Sequence, residues 1–127
     1  MIHLDTHVVV WLQAGRLDQF PPAALRRLEA DTLGVSPMVS LELQYLYEIG
    51  RVTRPAREVV QSLADRIDLI VAREPFEGVV RAALEQTWTR DPFDRMIVAG
   101  AELAQVDLLT RDETIHEHFD RAIWSDE

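Results

Sequence analysis

Hydrophobic and polar positions along this chain follow two patterns. Short apolar runs bounded by polar residues predict β-strands, whereas longer runs with an apolar residue at every third or fourth position predict α-helices. The predicted strands are Ile2 to Leu4, Leu33 to Ser36, Asp68 to Val71, Asp107 to Thr110 and Arg121 to Ile123. The predicted helices are Thr6 to Gln13, Pro22 to Glu29, Met38 to Ile49, Ala56 to Asp65, Phe76 to Gln86, Pro92 to Ala104 and Glu113 to His118.

The regular alternation of strands and helices predicts an α/β fold. Strands that are joined through helices form a parallel sheet, and the helices cover both of its faces. We expect four to five short strands in this sheet. A single domain over residues 1–127 is expected, because this length is near the usual domain size and no linker or low-complexity stretch divides the chain.

Three acidic residues are expected at one edge of that sheet. Asp5 directly follows the first strand, and Asp112 lies just beyond the strand that begins at Asp107. The helix that starts at Pro92 returns the chain to this strand, so Asp94 lies near the edge where the strand finishes. Ligands of parallel sheets bind in the crevice at the carboxyl ends of the strands. These three carboxylates are therefore candidates for one site.

Glu42 is a fourth candidate, because of the helix face on which it lies. It shares a helix face with Val39, Leu43 and Leu46, which predicts that this face is turned toward the core. A carboxylate on the apolar side of a helix is unfavourable unless a cation or a hydrogen-bond donor meets it. We therefore expect such a partner for Glu42.

A cluster of these carboxylates would favour a hard divalent cation. Two like charges about 4 Å apart repel by about 4 kcal/mol at an effective dielectric constant near 20, and a cation relieves that repulsion. The chain has no cysteine, and its histidines are not at ligand spacing, so the oxygen donors favour Mg²⁺ or Mn²⁺ over Zn²⁺. The predicted metal ligands and catalytic residues are Asp5, Glu42, Asp94 and Asp112. Phosphoryl transfer is the chemistry that such ions serve.

Each acid, taken singly, also has a purely structural interpretation. Asp5, Asp91 and Asp112 occupy positions where a helix N-cap is needed, and aspartate is among the best N-cap residues. Asp94 would complement the positive end of the helix dipole. Glu42 has no equivalent explanation, and a shared edge for all four acids favours a site over four separate caps.

Charge restricts the class of partner. The formal net charge of −9 opposes the long-range attraction that a protein usually has for a phosphate backbone, so a nucleic acid would have to be bound by local contacts. All 13 basic residues are arginine, which binds phosphate through two parallel hydrogen bonds. The acidity also suggests a basic partner protein. No apolar run approaches the roughly 18 residues that a membrane span needs, and we expect a cytoplasmic protein without a membrane segment.

Four strings resemble the motifs of a known family. They are "MIHLDTHVVVW", "VSPMVSLELQYL", "RDPFDRMIVAGAEL" and "LLTRDETI", which contain the four acids and extend over essentially the whole chain. In them the chain resembles the PIN-domain ribonucleases and, among these, the VapC-type toxins of bacterial toxin–antitoxin pairs. The resemblance implies a three-layer PIN-like fold, metal-dependent endonucleolytic cleavage of RNA, and a VapB-like antitoxin that blocks the site. Thr89 departs from the pattern, because a histidine often stands there in related proteins.

The resemblance also implies roles for individual residues. Asp5, Asp94 and Asp112 would hold the metal directly or through water, whereas Glu42 would ligate it or orient the attacking hydroxide. The family's conserved acid in the third string matches Asp94, which leaves Asp91 as a cap or outer-shell residue. The remaining candidates are two hydroxyl residues that would orient a carboxylate or water and two arginines beside the acids that would contact phosphate oxygens: Thr6, Thr110, Arg95 and Arg111.

Two other classes of protein could carry acids at this edge of an α/β sheet. A receiver domain or an aspartyl-phosphate phosphatase would use a lysine that this chain lacks, and the phosphatase D-x-D motif is replaced by Asp5, Thr6 and His7. A catalytically silent PIN-fold module that binds proteins is the second alternative. The helix predicted from Met38 is apolar nearly all round, so it is either deeply buried or lies at a subunit contact, and we expect a homodimer. Its additional apolar residues are Tyr45, Leu46, Tyr47 and Ile49.

Overall fold

A central five-stranded sheet organises the molecule. The computed structural model describes residues 1–126, and every pair of neighbouring strands in it is parallel, in the order β3-β2-β1-β4-β5. The strands are β1 (Ile2–Leu4), β2 (Leu33–Val35), β3 (Ile70–Val71), β4 (Asp107–Leu109) and β5 (Ala122–Ile123). The flanking helices are α1 (Thr6–Gln13), α2 (Pro22–Ala30), α3 (Pro37–Glu48), α4 (Ala56–Ile67), α5 (Phe76–Ala83), α6 (Pro92–Ala104) and α7 (Glu113–His118). The predicted fold class is confirmed.

Helix caps account for the boundaries that the sequence predicted well. Helices α1, α6 and α7 have the predicted bounds, and each begins immediately after an aspartate that accepts a backbone N–H of its first turn. Ser36 acts in the same way at α3, where its hydroxyl oxygen accepts Met38 N at 3.1 Å. The prediction that Ser36 ends β2 was therefore wrong by one residue, because β2 ends at Val35 and Ser36 is the N-cap before α3.

Several other boundaries differ by one to three residues. The predicted strand beginning at Asp68 starts at Ile70, since α4 continues to Ile67 and Asp68 terminates it with a left-handed backbone, φ 58°. Helix α5 ends at Ala83, three residues before the predicted Gln86. A short 3₁₀ turn at Leu17–Gln19 was not predicted.

The core is built around β1, which has strands on both sides. Ile2 and Leu4 are fully buried, and each such side chain contributes about 1.5–3 kcal/mol through burial. Between them His3 is also buried, and its two ring nitrogens have no hydrogen-bond partner among residues 1–126. Burial and the nearby N-terminal ammonium lower the pKa of His3, so the imidazole is neutral at physiological pH. Within the described residues, the helices are all too short or too polar to cross a membrane.

The strand order brings the ends of the two central strands together. Because β1 and β4 are paired in parallel register, the residues that follow Leu4 and Leu109 leave the sheet side by side at its carboxyl edge. Asp5 N donates to Leu109 O at 3.0 Å, which extends this pairing one residue beyond the strand. The first residues of α1 and the segment between β4 and α7 therefore lie next to each other.

Candidate active site

A cleft at the carboxyl edge of the sheet is lined by acidic side chains from four segments. We call it the acid cleft, and its carboxylates are Asp5, Glu42, Asp91, Asp94 and Asp112. The four acids singled out in the sequence all lie on this cleft, together with Asp91. Its volume of about 370 Å³ is in the range of small-ligand sites.

Asp5 is held rigidly at the base of the acid cleft. Its side chain is buried, Oδ1 accepts Thr6 N at 2.8 Å, and Oδ2 accepts the Thr110 hydroxyl at 2.7 Å. Nδ1 of His7 lies 3.5 Å from the same Oδ2. Asp5 is thus both the N-cap of α1 and a fixed carboxylate on the cleft, so its structural and functional interpretations do not exclude each other.

Thr110 links two of the acids through one hydroxyl group. While it donates to Asp5, its Oγ1 accepts Asp112 N at 3.0 Å. Asp112 in turn caps α7, since Oδ1 accepts Ile115 N at 3.0 Å. Thr110 is fully buried at the end of β4, and it sets the distance between Asp5 and Asp112.

Glu42 projects from α3 into the acid cleft and is met by a hydroxyl group. The Thr6 hydroxyl donates a short hydrogen bond to Oε1 of Glu42. Burial raises the pKa of Glu42 against the opposing effect of that hydrogen bond, and the charges of Asp5 and Asp91 raise it further. Val39 and Leu43 on the same face are buried, so Glu42 lies where the apolar face of α3 meets the cleft.

Asp94 carries the largest pKa shift of the five acids. It lies in the first turn of α6, whose N-cap Asp91 accepts Phe93 N at 2.8 Å and Asp94 N at 3.3 Å through Oδ1. Burial raises the pKa of Asp94 to about 7, and Asp91, Asp5, Asp112 and Glu42 add to the rise in that order. Every one of these influences raises the pKa of Asp94, and none of the groups named among residues 1–126 offsets its negative charge.

The acid cleft has the donor chemistry for a hard divalent cation but, among residues 1–126, not the spacing of a formed metal site. Among residues 1–126, no three carboxylates or imidazoles stand close enough to form a complete set of metal ligands, so the acids surround the cleft without converging on one point. Carboxylate oxygens are nevertheless the donors that Mg²⁺ and Mn²⁺ prefer. The raised pKa values of Asp94 and Glu42 mark negative charge that such an ion would stabilise.

The two arginines predicted to contact phosphate point elsewhere. Nε of Arg95 donates to Thr89 O at 2.8 Å, which ties it to the loop before α6. The guanidinium of Arg111 lies over the ring of Trp11, with 5.8 Å between its Cζ atom and the ring centroid. Neither side chain lines the acid cleft. Their proposed role in phosphate binding is still a prediction, and it would require both side chains to move.

Arg51 and His7 line the acid cleft and were not identified from the sequence. Helix α3 is terminated by Gly50 in the left-handed conformation, φ 77°, and Arg51 N donates back to Leu46 O at 2.8 Å. This C-terminal cap fixes the start of the next loop and places Arg51 on the cleft. The glycine after an apolar helix was the sequence signal for that turn.

His7 joins the acid cleft to the segment after β4. Arg111 N donates to its Nε2 at 2.9 Å, so this nitrogen is unprotonated. Burial lowers the pKa of His7, although the charges of Asp5 and Asp112 oppose the shift. The ring also packs edge-on against Trp11 at a centroid distance of 5.0 Å. A neutral His7 therefore positions the backbone beside Asp112.

The parallel sheet with acids at its carboxyl edge is the architecture of a known family. Residues 2–121 match the model of the PIN domain, and the chain belongs to this family. Over 118 residues it is 31% identical to Ribonuclease VapC22 of Mycobacterium tuberculosis (strain ATCC 25618 / H37Rv), which covers 91% of this chain and 89% of that protein. The resemblance to VapC-type PIN proteins is confirmed.

Three solved structures show the same fold at low sequence identity. A chain of VapBC2 from Rickettsia felis, bound to a promoter DNA fragment, has a TM-score of 0.69 at 18% identity, with 98% of each chain covered. A toxin–antitoxin complex from Klebsiella pneumoniae gives 0.61 at 15% identity, covering 97% of this chain and 96% of that one. VapBC-1 from nontypeable Haemophilus influenzae gives 0.53 at 18%, covering 94% and 96%.

Proposed function

We propose that this chain is a metal-dependent endoribonuclease that acts as the toxin of a toxin–antitoxin pair. The observation that carries the proposal is the acid cleft, in which five carboxylates surround one space and the pKa of Asp94 is raised to about 7. Strongly shifted acids in a cleft are typical of sites that act on a ligand. The 31% identical relative is named a ribonuclease, which supports RNA as the substrate.

The proposed ligands are Asp5, Glu42, Asp94 and Asp112. When Mg²⁺ or Mn²⁺ is bound, it supplies a more acidic water and stabilises the leaving oxygen. The chain's own contribution is orientation: Thr110 fixes Asp5 and Asp112 relative to each other, and Thr6 fixes Glu42. Because these hydroxyls donate to carboxylate oxygens, they hold the acids in place for a cation or a water molecule.

Asp94 links cation binding to proton release. With its pKa raised to about 7, the carboxyl group is close to half protonated at neutral pH in the absence of a cation. A divalent ion favours the ionised form, so its binding should release a proton and become tighter as the pH rises. Weak binding below pH 6 follows from the same linkage.

Two protein partners are proposed. A VapB-like antitoxin is supported by the named toxin–antitoxin complexes that share the fold, and the net charge of −9 suits a basic antitoxin segment. A second copy of the chain is supported by the exposed apolar side chains of Leu41, Tyr45 and Ile49 on or beside α3, since large apolar residues are usually covered in the assembled protein. Sedimentation of the isolated chain tests the homodimer.

Cleavage of single-stranded RNA tests the enzymatic function. The purified chain should cut RNA with Mg²⁺ or Mn²⁺ and stop when EDTA is added. Asp94→Asn should reduce the rate by at least about a hundredfold. The matched control, Glu117→Gln, removes an exposed acid of α7 and should leave the rate unchanged. A wild-type chain that neither cuts RNA nor binds Mn²⁺ in a calorimetric titration would favour the silent protein-binding module instead.

A further inference from the structure

A second cleft adjoins the acid cleft and differs from it in chemistry. We call it the side pocket. It has a volume of about 330 Å³, and it lies between the end of α1 and the loop that joins α3 to α4. Its polar groups come from Gln13, Arg51, Thr53 and Arg54, while Leu43 and Val59 belong to its apolar wall.

The two clefts adjoin each other. Val10, Arg51 and Val52 line both of them. Arg51 lies at the junction, and its position is fixed by the cap at the end of α3. An extended chain molecule could therefore place one group in each cleft with Arg51 between them.

The charge of the side pocket is opposite to that of the acid cleft. No acidic residue lines it within residues 1–126, whereas two arginines do. Neither Arg51 nor Arg54 forms an ion pair with a carboxylate among these residues. Arg51 and Arg54 are both exposed residues on the lining of the pocket, and arginine binds phosphate through two parallel hydrogen bonds.

Gln13 gives the side pocket the means to select a base. It is the last residue of α1, and its amide oxygen is buried without a hydrogen-bond partner among residues 1–126, so the carboxamide would have to turn toward the pocket to meet a base. A carboxamide offers a donor and an acceptor side by side, which matches the edges of nucleobases. The partly exposed apolar side chains of Val10 and Val52 suit the flat faces of a base, and the pocket volume lies in the range of small-ligand sites.

We propose that the side pocket binds one nucleobase of a single-stranded RNA, with Gln13 contacting the base edge while Arg51 contacts the phosphate that leads into the acid cleft. The inference rests on the proposed ribonuclease function and adds to it a site for sequence preference. Arg54 contacts the phosphate on the far side of the base.

Binding measurements test the side pocket without relying on cleavage. In the Asp94→Asn protein, four labelled RNAs of five identical nucleotides each (A, C, G or U) should bind with unequal affinities. Gln13→Leu should reduce the ratio between the best and the worst base by at least about fivefold. Arg51→Gln and Arg54→Gln should weaken all four RNAs alike and lower the salt dependence of log K by about 0.7 each. The matched controls Gln19→Leu and Arg66→Gln lie outside both clefts and should change nothing.

Cleavage of a randomised RNA library separates the two proposals. The wild-type chain should show a base preference at one position beside the cut, and Gln13→Leu should flatten the preference at that position alone. If the wild-type chain cuts RNA and Gln13→Leu leaves both the cut-site profile and the binding ratios unchanged, the side pocket proposal is wrong but the ribonuclease stands. If the wild-type chain cuts no RNA, the proposed function fails, and unequal binding that depends on Gln13 would still support the pocket.

Discussion

The carboxylates at the two edges of the central sheet have different neighbours: arginines at the amino edge and mainly other acids at the carboxyl edge. At the amino edge, Asp107 begins β4 and accepts hydrogen bonds from Arg121 at 2.8 Å and from Arg27 at 3.0 Å. Arg27 also donates to Asp31 at 2.7 Å. At the carboxyl edge, five acids line one cleft, and Arg51 is the arginine that lines it with them.

The pKa values record this difference. Burial would raise the pKa of Asp107, but the hydrogen bonds from Arg121 and Arg27 hold it below its usual range. Burial and four neighbouring acids raise the pKa of Asp94 to about 7. Arginines thus pair with the acids at the amino edge, whereas at the carboxyl edge five acids share one cleft and raise the pKa of Asp94.

The largest effect is expected from adding a divalent cation. Mn²⁺ at about 100 times its dissociation constant should stabilise the wild-type chain by about 2.7 kcal/mol, because it binds the folded state. Asp94→Asn should lose most of that gain, whereas Asp107→Asn should keep it. Thermal unfolding of all three proteins with and without Mn²⁺ makes the measurement. An equal gain in all three would place the ion outside the acid cleft.

A smaller effect is expected from removing the ion pairs of Asp107 at the amino edge of the sheet. Asp107→Asn leaves Arg27 and Arg121 without their shared carboxylate and should reduce the free energy of unfolding by about 1–2 kcal/mol, since the group is partly exposed and hydrogen-bonded to charge. RNA cleavage at a temperature well below unfolding should be unchanged. Urea denaturation measures the loss. The exposed pair of Arg81 and Glu77 provides the control, and Glu77→Gln should cost under about 0.5 kcal/mol.

Much of the fold could be predicted because local signals and periodicity agreed. The starts of α1, α6 and α7 followed from Asp5, Asp91 and Asp112, each of which caps its helix through the side chain. The predicted start of β3 at Asp68 was wrong, since a left-handed aspartate at a helix end leaves no trace in a hydrophobic pattern.

The candidate site was predictable only in part, for a related physical reason. Asp5 and Asp112 follow strands, so the topology of a parallel sheet is enough to bring them to one edge. Arg51 and Gln13 lie where α3 and α1 end, and the path of the next loop determines what they face. The distances between the acids could not be predicted from the hydrophobic pattern either, because they depend on hydrogen bonds such as those of Thr110.

The smallest effect is expected from the stability of the metal-free acid cleft. Without metal, Asp94 binds its proton more tightly in the folded state, with a pKa of about 7, than at its ordinary value of 3.8. Its contribution to stability is therefore greatest below pH 4 and is lost as the pH rises toward 7. Asp94→Asn lacks this loss, so in metal-free buffer it should be more stable than the wild-type chain by about 1 kcal/mol at pH 8, allowing for partial solvent exposure.

The pH dependence of this difference in unfolding free energy shows whether Asp94 mainly experiences repulsion from the neighbouring acids or mainly stabilises the N-terminus of α6. Burial lowers the pKa of His3 and His7, so both remove stability as the pH falls below about 6.5, but they are present in either protein and largely cancel in the comparison. Unfolding free energies of wild type and Asp94→Asn, measured in EDTA from pH 4 to pH 8, should coincide at the acid end and diverge with rising pH. A variant that is less stable throughout would show that Asp94 mainly supports the N-terminus of α6, and the contrast between the two sheet edges would then be one of helix capping.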